Sequence, residues 1–370
     1  MLARMMMKTL NRDFLLKVGI LAGIIIGAGV FSLPYVFRAA GFLTGIFYLA
    51  LSAAVYIALY IMYAQVISET DGEHRFVGYA RIYLGRFASF FAILISIAQA
   101  VVVLTIYLIL AQSFASLITD YGKGMDALVV FWLVGSLMIF LGVRRIAWSE
   151  LVITGGMIAV LLIVFFIAIT SGSHAVTDDV LPGSVGAFFL PLGAVLFSLS
   201  GRQAIPEIVK IGGGYKKAIA VGVLIPVAVY FLFVVSVLAL SPVVTEDAVS
   251  GLVGAVPGFL MLAIIGVFGI FSLLSSYGTI GLDVYESLGL DFKLPFWAKF
   301  LIIIFGPIAL FFAGAQSFLA LVGIAGGIFL AIEGILIVLI WLRMKKKKPS
   351  LGAILMVAVF ATALAYEILK

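Results

Sequence analysis

The sequence predicts an all-α integral membrane protein of about eleven transmembrane helices, and three features predict it. Apolar residues fill 65% of the 370 positions and charged residues 11%, whereas a soluble domain carries roughly 25% charge. Apolar runs close to the roughly 20 residues of a spanning helix recur from Leu15 nearly to the C-terminus. Two of those runs are broken alike: Gly29 is followed five residues later by Pro34 in GVFSLP, and Gly201 five residues later by Pro206 in GRQAIP.

The first run, 15–37, follows the basic stretch MLARMMMKTLNRDF but lacks a small-residue cleavage site. It reads as a retained helix rather than a signal peptide. The runs 42–68, 87–118, 126–142 and 147–170 follow, and 185–210 carries the second break. The runs 217–241, 256–286, 295–313, 320–342 and 350–368 complete the set. No soluble domain fits between them, so 1–370 forms one transmembrane transporter domain.

The net charge of +6 does not point to nucleic acid, because Lys and Arg stand in short segments between apolar runs. With the N-terminus cytoplasmic, 19 of them fall inside, the run Lys345 to Lys348 included, and only Arg38, Lys123 and Lys370 fall outside. That asymmetry orients the chain, N-terminus in the cytoplasm and C-terminus outside the cell membrane. There is no cysteine, hence no disulfide or thiolate metal site, and no Ser/His/Asp set, P-loop or dinucleotide fingerprint. The chain is not expected to be an enzyme or to use a cofactor beyond a coupling ion, Na+ or H+.

The two breaks are 172 positions apart, and the same offset carries helix starts 42, 87, 126 and 147 close to later starts. Residues 15–170 and 185–342 thus read as two five-helix copies, with 350–368 added outside the repeat. Five being odd, the second copy is inverted, and paired interrupted helices in inverted repeats mark secondary transporters.

Unwinding a helix at membrane depth frees backbone groups that cost several kcal/mol each if unpaired in hydrocarbon. In IIIGAGVFSLPY a second half-helix would start near Gly29 and turn its free amides to the gap, where a carboxylate fits. In VLFSLSGRQAIPE the carbonyls of Phe197, Ser198 and Ser200 and the two serine hydroxyls suit an ammonium group. Amides on one side and carbonyls on the other match a zwitterion.

These residues resemble the amino acid/polyamine/organocation superfamily, most closely its amino acid/auxin and hydroxy/aromatic amino acid permease branches. The resemblance spans essentially the whole chain and rests on GAGVFSLPY, FSLSGRQAIPE and FSLLSSYGTIGLDVY. It implies the LeuT-type fold, five plus five inverted helices with discontinuous helices 1 and 6, and alternating access. It places carboxylate contacts at Ala28, Gly29 and Val30, and amine contacts at Phe197, Ser198 and Ser200. It also places a Na+ site at Gly23, Ile26, Ser272, Ser275 and Ser276, and the three serines share one helix face. Proton-coupled relatives put a lysine on helix 5, and 147–170 has none.

Arg202 departs from the pattern. A charge at this depth needs a partner, and Glu207, five residues on, is the expected one, as a clamp, a gate or part of a site for an acidic substrate. Glu333, mid-helix in GGIFLAIEGILIVLI, should be protonated or paired. Tyr107 and Gln99 lie near mid-depth on the third helix. Asp283, Glu286 and Glu150 stand near cytoplasmic helix ends, and His74 and His174 in loops without metal-ligand spacing.

The expected function is a symporter for a small, neutral amino acid, driven by Na+ and working as a monomer in the lipid bilayer. A proton-coupled permease using Glu333 or Glu207 is the alternative, and a sensor or channel the alternative of another class.

Overall fold

The computed structural model describes residues 2–72, 74–118, 125–141, 147–171, 181–241, 243–254, 256, 258–290 and 294–370, and every regular element among them is helical. Glycine and proline decide where the helices stop. The first span is α1 (Leu2–Ile25), a 3-10 turn (Ala28–Ser32) and α2 (Leu33–Ala40), bent by 47° across the break. Pro34 lies in the first turn of α2, where its missing N–H would have no helical partner anyway.

Next come α3 (Phe42–Glu69), α4 (Phe76–Ser116), α5 (Met125–Phe140) and α6 (Ala147–Ser171). Within α4, Gly85 has φ 91° and ψ −176°, a backbone region open to glycine. Residues 76–84 therefore form a separate piece before the spanning part, and the predicted start at 87 marks where the helix resumes.

The second half repeats the order. α7 (Val185–Ser198), a 3-10 turn (Arg202–Ala204) and α8 (Ile205–Lys210) form the second broken span, followed by α9 (Tyr215–Leu240) and α10 (Phe259–Leu290). α11 (Phe296–Phe300) and α12 (Gly306–Phe312) are joined by a π turn at Leu301–Phe305. α13 (Phe318–Gly323) and α14 (Ala331–Lys345) are joined by another at Ile324–Leu330, and α15 (Leu351–Leu369) closes the chain. Leu33 and Ile205, which open α2 and α8, are 172 positions apart.

Among the described residues, seven helices are long and apolar enough to cross a membrane, eight if the bent first pair is one span. The shorter apolar helices Met125–Phe140, Gly155–Thr170 and Phe296–Phe312 stand where the sequence places three further spans. Their outer faces are apolar: Phe87, Phe90 and Leu94 on α4, Leu133 and Leu137 on α5, and Leu351 and Leu355 on α15 are all exposed. Such a surface fits lipid, not water.

Inside, α1 packs on α9, α4 on α10, and α7 on the π turn before α14. That last crossing is backbone on backbone. A Cβ on Gly326 would overlap the Gly193 carbonyl oxygen, and one on Gly193 would lie 3.2 Å from the Gly323 oxygen and 3.3 Å from the Gly327 nitrogen. Small residues permit this approach where lipid supplies no hydrophobic drive between helices.

Gly326→Ala is therefore expected to lose the folded, monodisperse protein, whereas Gly155→Ala, with nothing within 4 Å, should leave it unchanged. Size-exclusion chromatography and a thermal melt of the two variants check this.

Candidate substrate site at two broken helices

The breaks free backbone groups, and three buried tyrosines take them up. The Tyr56 hydroxyl donates to the Leu196 carbonyl at 2.7 Å. The Tyr60 hydroxyl donates to the Leu199 carbonyl at 2.9 Å and accepts the Gly201 N–H at 2.5 Å. The Tyr230 hydroxyl lies 2.6 Å from the Ile25 carbonyl and 3.1 Å from that of Ser198, bridging the two breaks. The Phe197 carbonyl accepts the Ser200 N–H at 3.2 Å. The sequence reading missed these tyrosines, because their partners lie 32 to 205 residues away and no local motif marks them.

The breaks meet at Gly29. A Cβ there would overlap the Ser198 Cα and come within 2.8 Å of the Ser198 Cβ, so only glycine allows this contact. At Gly201 a Cβ would lie 2.7 Å from an Ile25 side-chain carbon.

Beside this contact lies a cavity of about 1260 Å³, counted out to its open mouth. Of the predicted substrate residues, Ala28, Gly29, Phe197, Ser198, Ser200, Arg202 and Tyr107 line it. Val30 does not, being fully buried in the core. The Ser198 hydroxyl is already used, donating to the Val195 carbonyl at 3.0 Å. Ala28 and Gly29 open a 3-10 turn after the extended Gly27, so their amides precede any intrahelical acceptor, whereas the Val30 N–H is the first to reach one, the Gly27 carbonyl three residues back.

Tyr63, Phe76, Ile93, Ile97, Gln99, Val103 and Gln203 also form walls, and the cavity runs on to Arg75, Asp283 and Leu288 at the ends of α4 and α10. On the opposite side the structure is shut. Phe31 meets Phe114 edge-on at 5.0 Å and Phe233 at 5.6 Å. In the segment after α9, Asp247 accepts from Ser113 of α4 at 2.5 Å and from Thr245 at 2.8 Å.

The expected pairing of Arg202 with Glu207 is corrected by the geometry. Glu207 lies half-exposed on α8, 3.5 Å from Lys210. Arg202 Nε lies 2.7 Å from Glu333 Oε1 on α14, off the hydrogen-bonding direction, so the contact is ionic rather than an aligned hydrogen bond. The guanidinium also sits 4.9 Å from the Phe76 ring centre. Helix geometry explains the switch: α8 carries Glu207 away from the turn holding Arg202, while Glu333 faces it from the neighbouring helix. Glu333 is thus paired, one of the two states expected for it.

The proposed Na+ ligands stand at the end of α1 and on α10. Gly23 and Ile26 are buried at the end of α1, Ser272 is buried, Ser276 lines the cavity, and the Ser275 carbonyl accepts the Thr279 hydroxyl at 2.9 Å. α10 packs mainly on α4, α5 and α6. Among the described residues no group of three or more His, Cys, Asp and Glu could hold a metal. His74 Nε2 lies 3.1 Å from the Asp71 carbonyl, Asp283 pairs with Arg75 at 2.6 Å, and the side chains of Glu150, His174 and Glu286 lie outside the described residues. Lys17 is buried and donates to the Gly213 carbonyl at 2.5 Å, tying α1 to the segment after α8.

Two broken helices touching beside a cavity that is shut on one side define a membrane transporter of the LeuT-type fold, not an enzyme. Residues 11–366 match the model of the tryptophan/tyrosine permease family, and the chain belongs to that family. No curated protein matches by sequence.

Solved structures agree on the fold. MhsT in complex with L-phenylalanine is 15% identical, with 96% of this chain and 97% of that one covered at a TM-score of 0.68. Mhp1, a nucleobase-cation-symport-1 family transporter closed with bromovinylhydantoin bound, is 15% identical, with 96% and 90% covered at 0.65. A manganese transporter of Eremococcus coleocola, in complex with an aromatic bis-isothiourea substituted compound, is 16% identical, with 96% and 87% covered at 0.64.

Two outcomes test the geometry. Tyr60→Phe strands the Leu199 carbonyl and the Gly201 amide, each worth about 1–3 kcal/mol when buried and unpaired, so it should lower the melting temperature of the purified protein more than Tyr83→Phe. Arg202→Ala or Glu333→Ala should destabilise strongly by leaving an uncompensated buried charge, about 3–5 kcal/mol, while the double variant should recover part of that loss in the same melt.

Proposed function

We propose that this chain is a secondary active transporter that carries a neutral amino acid with an aromatic side chain across the cytoplasmic membrane by alternating access, coupled to Na+. The contact of Gly29 with Ser198 inside the cavity carries the reading. It sets unpaired amides of one broken helix beside the carbonyl-rich end of the other, the arrangement a zwitterion needs. Phe76, Phe197, Tyr63 and Tyr107 on the cavity wall favour an aromatic side chain over the small one the sequence suggests, as does the family's name. Pairing of Arg202 with Glu333 leaves no free charge in that wall, which favours a neutral substrate over an acidic one.

The open end of the cavity lies among segments that the charge asymmetry puts in the cytoplasm, so this conformation reads as inward-facing. A cavity that stops at Phe31, Phe114 and Phe233 supports a carrier rather than a channel. One chain holds the whole cavity, which supports a monomeric transport unit. The Na+ reading rests on Gly23, Ile26, Ser272, Ser275 and Ser276, whose backbone carbonyls and hydroxyls are hard oxygen ligands of the kind Na+ takes. Proton coupling through Glu333 is the second reading, favoured by its place beside Arg202 at the cavity wall. Glu207, half-exposed beside Lys210, has less support.

The test is thermal stability of the purified protein against the twenty amino acids, each in Na+ and in choline at two pH values, since a ligand of the native state raises the melting temperature by mass action. A Na+-dependent rise with an aromatic amino acid is the expected result. A rise that follows pH alone and vanishes in Glu333→Gln moves the coupling to H+. No rise with any amino acid, and no counterflow in proteoliposomes, rejects the transporter reading of the substrate. Gly29→Ala should abolish counterflow with the protein still inserted, and Ser275→Ala with Ser276→Ala should raise the half-saturating Na+ several-fold.

A further inference from the structure

Most polar side chains on the cavity wall are already engaged by the protein. The Ser96 hydroxyl donates to the Ala92 carbonyl at 2.7 Å, that of Thr279 to the Ser275 carbonyl at 2.9 Å, and that of Ser198 to the Val195 carbonyl at 3.0 Å. Arg75 is paired with Asp283 and Arg202 with Glu333. The Gln99 side chain is different: it lines the cavity and makes no hydrogen bond with any described residue. Its neighbours along the α4 wall are Ile93, Ile97, Ala100 and Val103, with Ser96, whose hydroxyl is already committed to Ala92, one turn before it.

A primary amide in an apolar wall is unfavourable unless something hydrogen-bonds it, and it offers two donors and a carbonyl acceptor without charge. Depth fixes what it can reach. A Cβ on Gly27 would lie 4.0 Å from the Tyr107 hydroxyl, so Tyr107 marks the level of the break and of the unpaired amides. Gln99 stands eight residues earlier on the same helix, which is unbroken after Gly85, hence about 12 Å along the axis toward the mouth. An aromatic amino acid held at the break by its carboxylate and directed toward the mouth would bring its ring into that interval.

We propose that Gln99 sets side-chain specificity by accepting the hydrogen bond of a polar ring atom, the phenol O–H of tyrosine or the indole N–H of tryptophan. The proposal rests on the aromatic amino acid reading above. A site built around such a bond disfavours phenylalanine because the amide is then left unpaired, and the neutral amide gives no advantage to a charged side chain. Gln203, the other glutamine on the wall, adjoins Arg202 in the second break, whereas the polar neighbour of Gln99 on its own helix, Ser96, is committed to the Ala92 carbonyl.

The experiment is counterflow in proteoliposomes with labelled tyrosine, tryptophan and phenylalanine, comparing wild type with Gln99→Met and Gln99→Leu. Wild type is expected to favour tyrosine and tryptophan over phenylalanine by about tenfold or more, and both variants to bring the ratio within about threefold while phenylalanine transport persists. An unchanged ratio in a variant that still carries phenylalanine, or a wild type without preference, overturns the proposal. If neither variant transports, ligand-induced shifts in melting temperature give the same comparison: equal tyrosine and phenylalanine shifts support the role of Gln99, and a retained difference removes it. A wild type that responds to none of the three in either assay but responds to another amino acid rejects the aromatic reading itself.

Discussion

Backbone groups cannot stay unpaired in hydrocarbon, and this protein unwinds two helices at membrane depth, so the rest of the structure is arranged around satisfying those breaks. On the α7 side the answer is nearly complete. Val195, Leu196, Phe197 and Leu199 place their carbonyls on hydrogen-bond donors, two of them tyrosine hydroxyls from α3, and the Ser198 carbonyl lies 3.1 Å from the Tyr230 hydroxyl of α9, whose single proton has its shorter contact with Ile25. On the first break the Gly29 carbonyl accepts the Ser32 hydroxyl at 2.8 Å and the Ile25 carbonyl accepts Tyr230, while the Ala28 and Gly29 amides precede any intrahelical acceptor. The two breaks thus differ in chemistry: tyrosine hydroxyls take up carbonyls of the second, and the first keeps amides that no helical carbonyl reaches.

The same economy governs charge. Arg202 sits in the second break and Glu333 on α14, and both are largely buried. A guanidinium or carboxylate alone at that depth would be unstable, so each requires the other. Their contact joins the break to the helix that follows the Ile324–Leu330 π turn. α7 lies against that turn at Gly193 and Gly326. The second broken span is therefore fixed to its neighbour twice, once by glycine contact and once by charge, and the cavity wall there carries no net charge.

Much of the fold was legible because its determinants are local. The Gly-to-Pro spacings located both breaks, apolar length located the spans, and the 172-residue offset matched Leu33 with Ile205. What the sequence hid is long-range. Glu207 was the natural partner for Arg202 by proximity in the chain, yet Glu333, 131 positions away, is in contact, because a short helix turns one carboxylate outward and a neighbouring helix presents the other. Tyr60 and Tyr230 look like ordinary membrane aromatics until their partners are known. The start of the third span was placed after Arg86 because charges at Arg75, Arg81 and Arg86 masked the helical piece before Gly85.

The cavity opens toward one side only, and its two ends are built from different interactions. The shut end relies on packing, Phe31 against Phe114 and Phe233, with Phe114 itself set against Gly269, and on the Asp247 carboxylate that holds the segment after α9 to Ser113 of α4. The open end carries ion pairs at its rim, Arg75 with Asp283, beside the side chains of Phe76 and Leu288. Phe31 lies in the 3-10 turn of the first break, Phe114 on α4 and Phe233 on α9, so the shut end is built on the break itself. Tyr230 lies on α9 and its hydroxyl reaches the carbonyls of both breaks. The cavity wall and the shut end thus share the backbone that meets at Gly29 and Ser198.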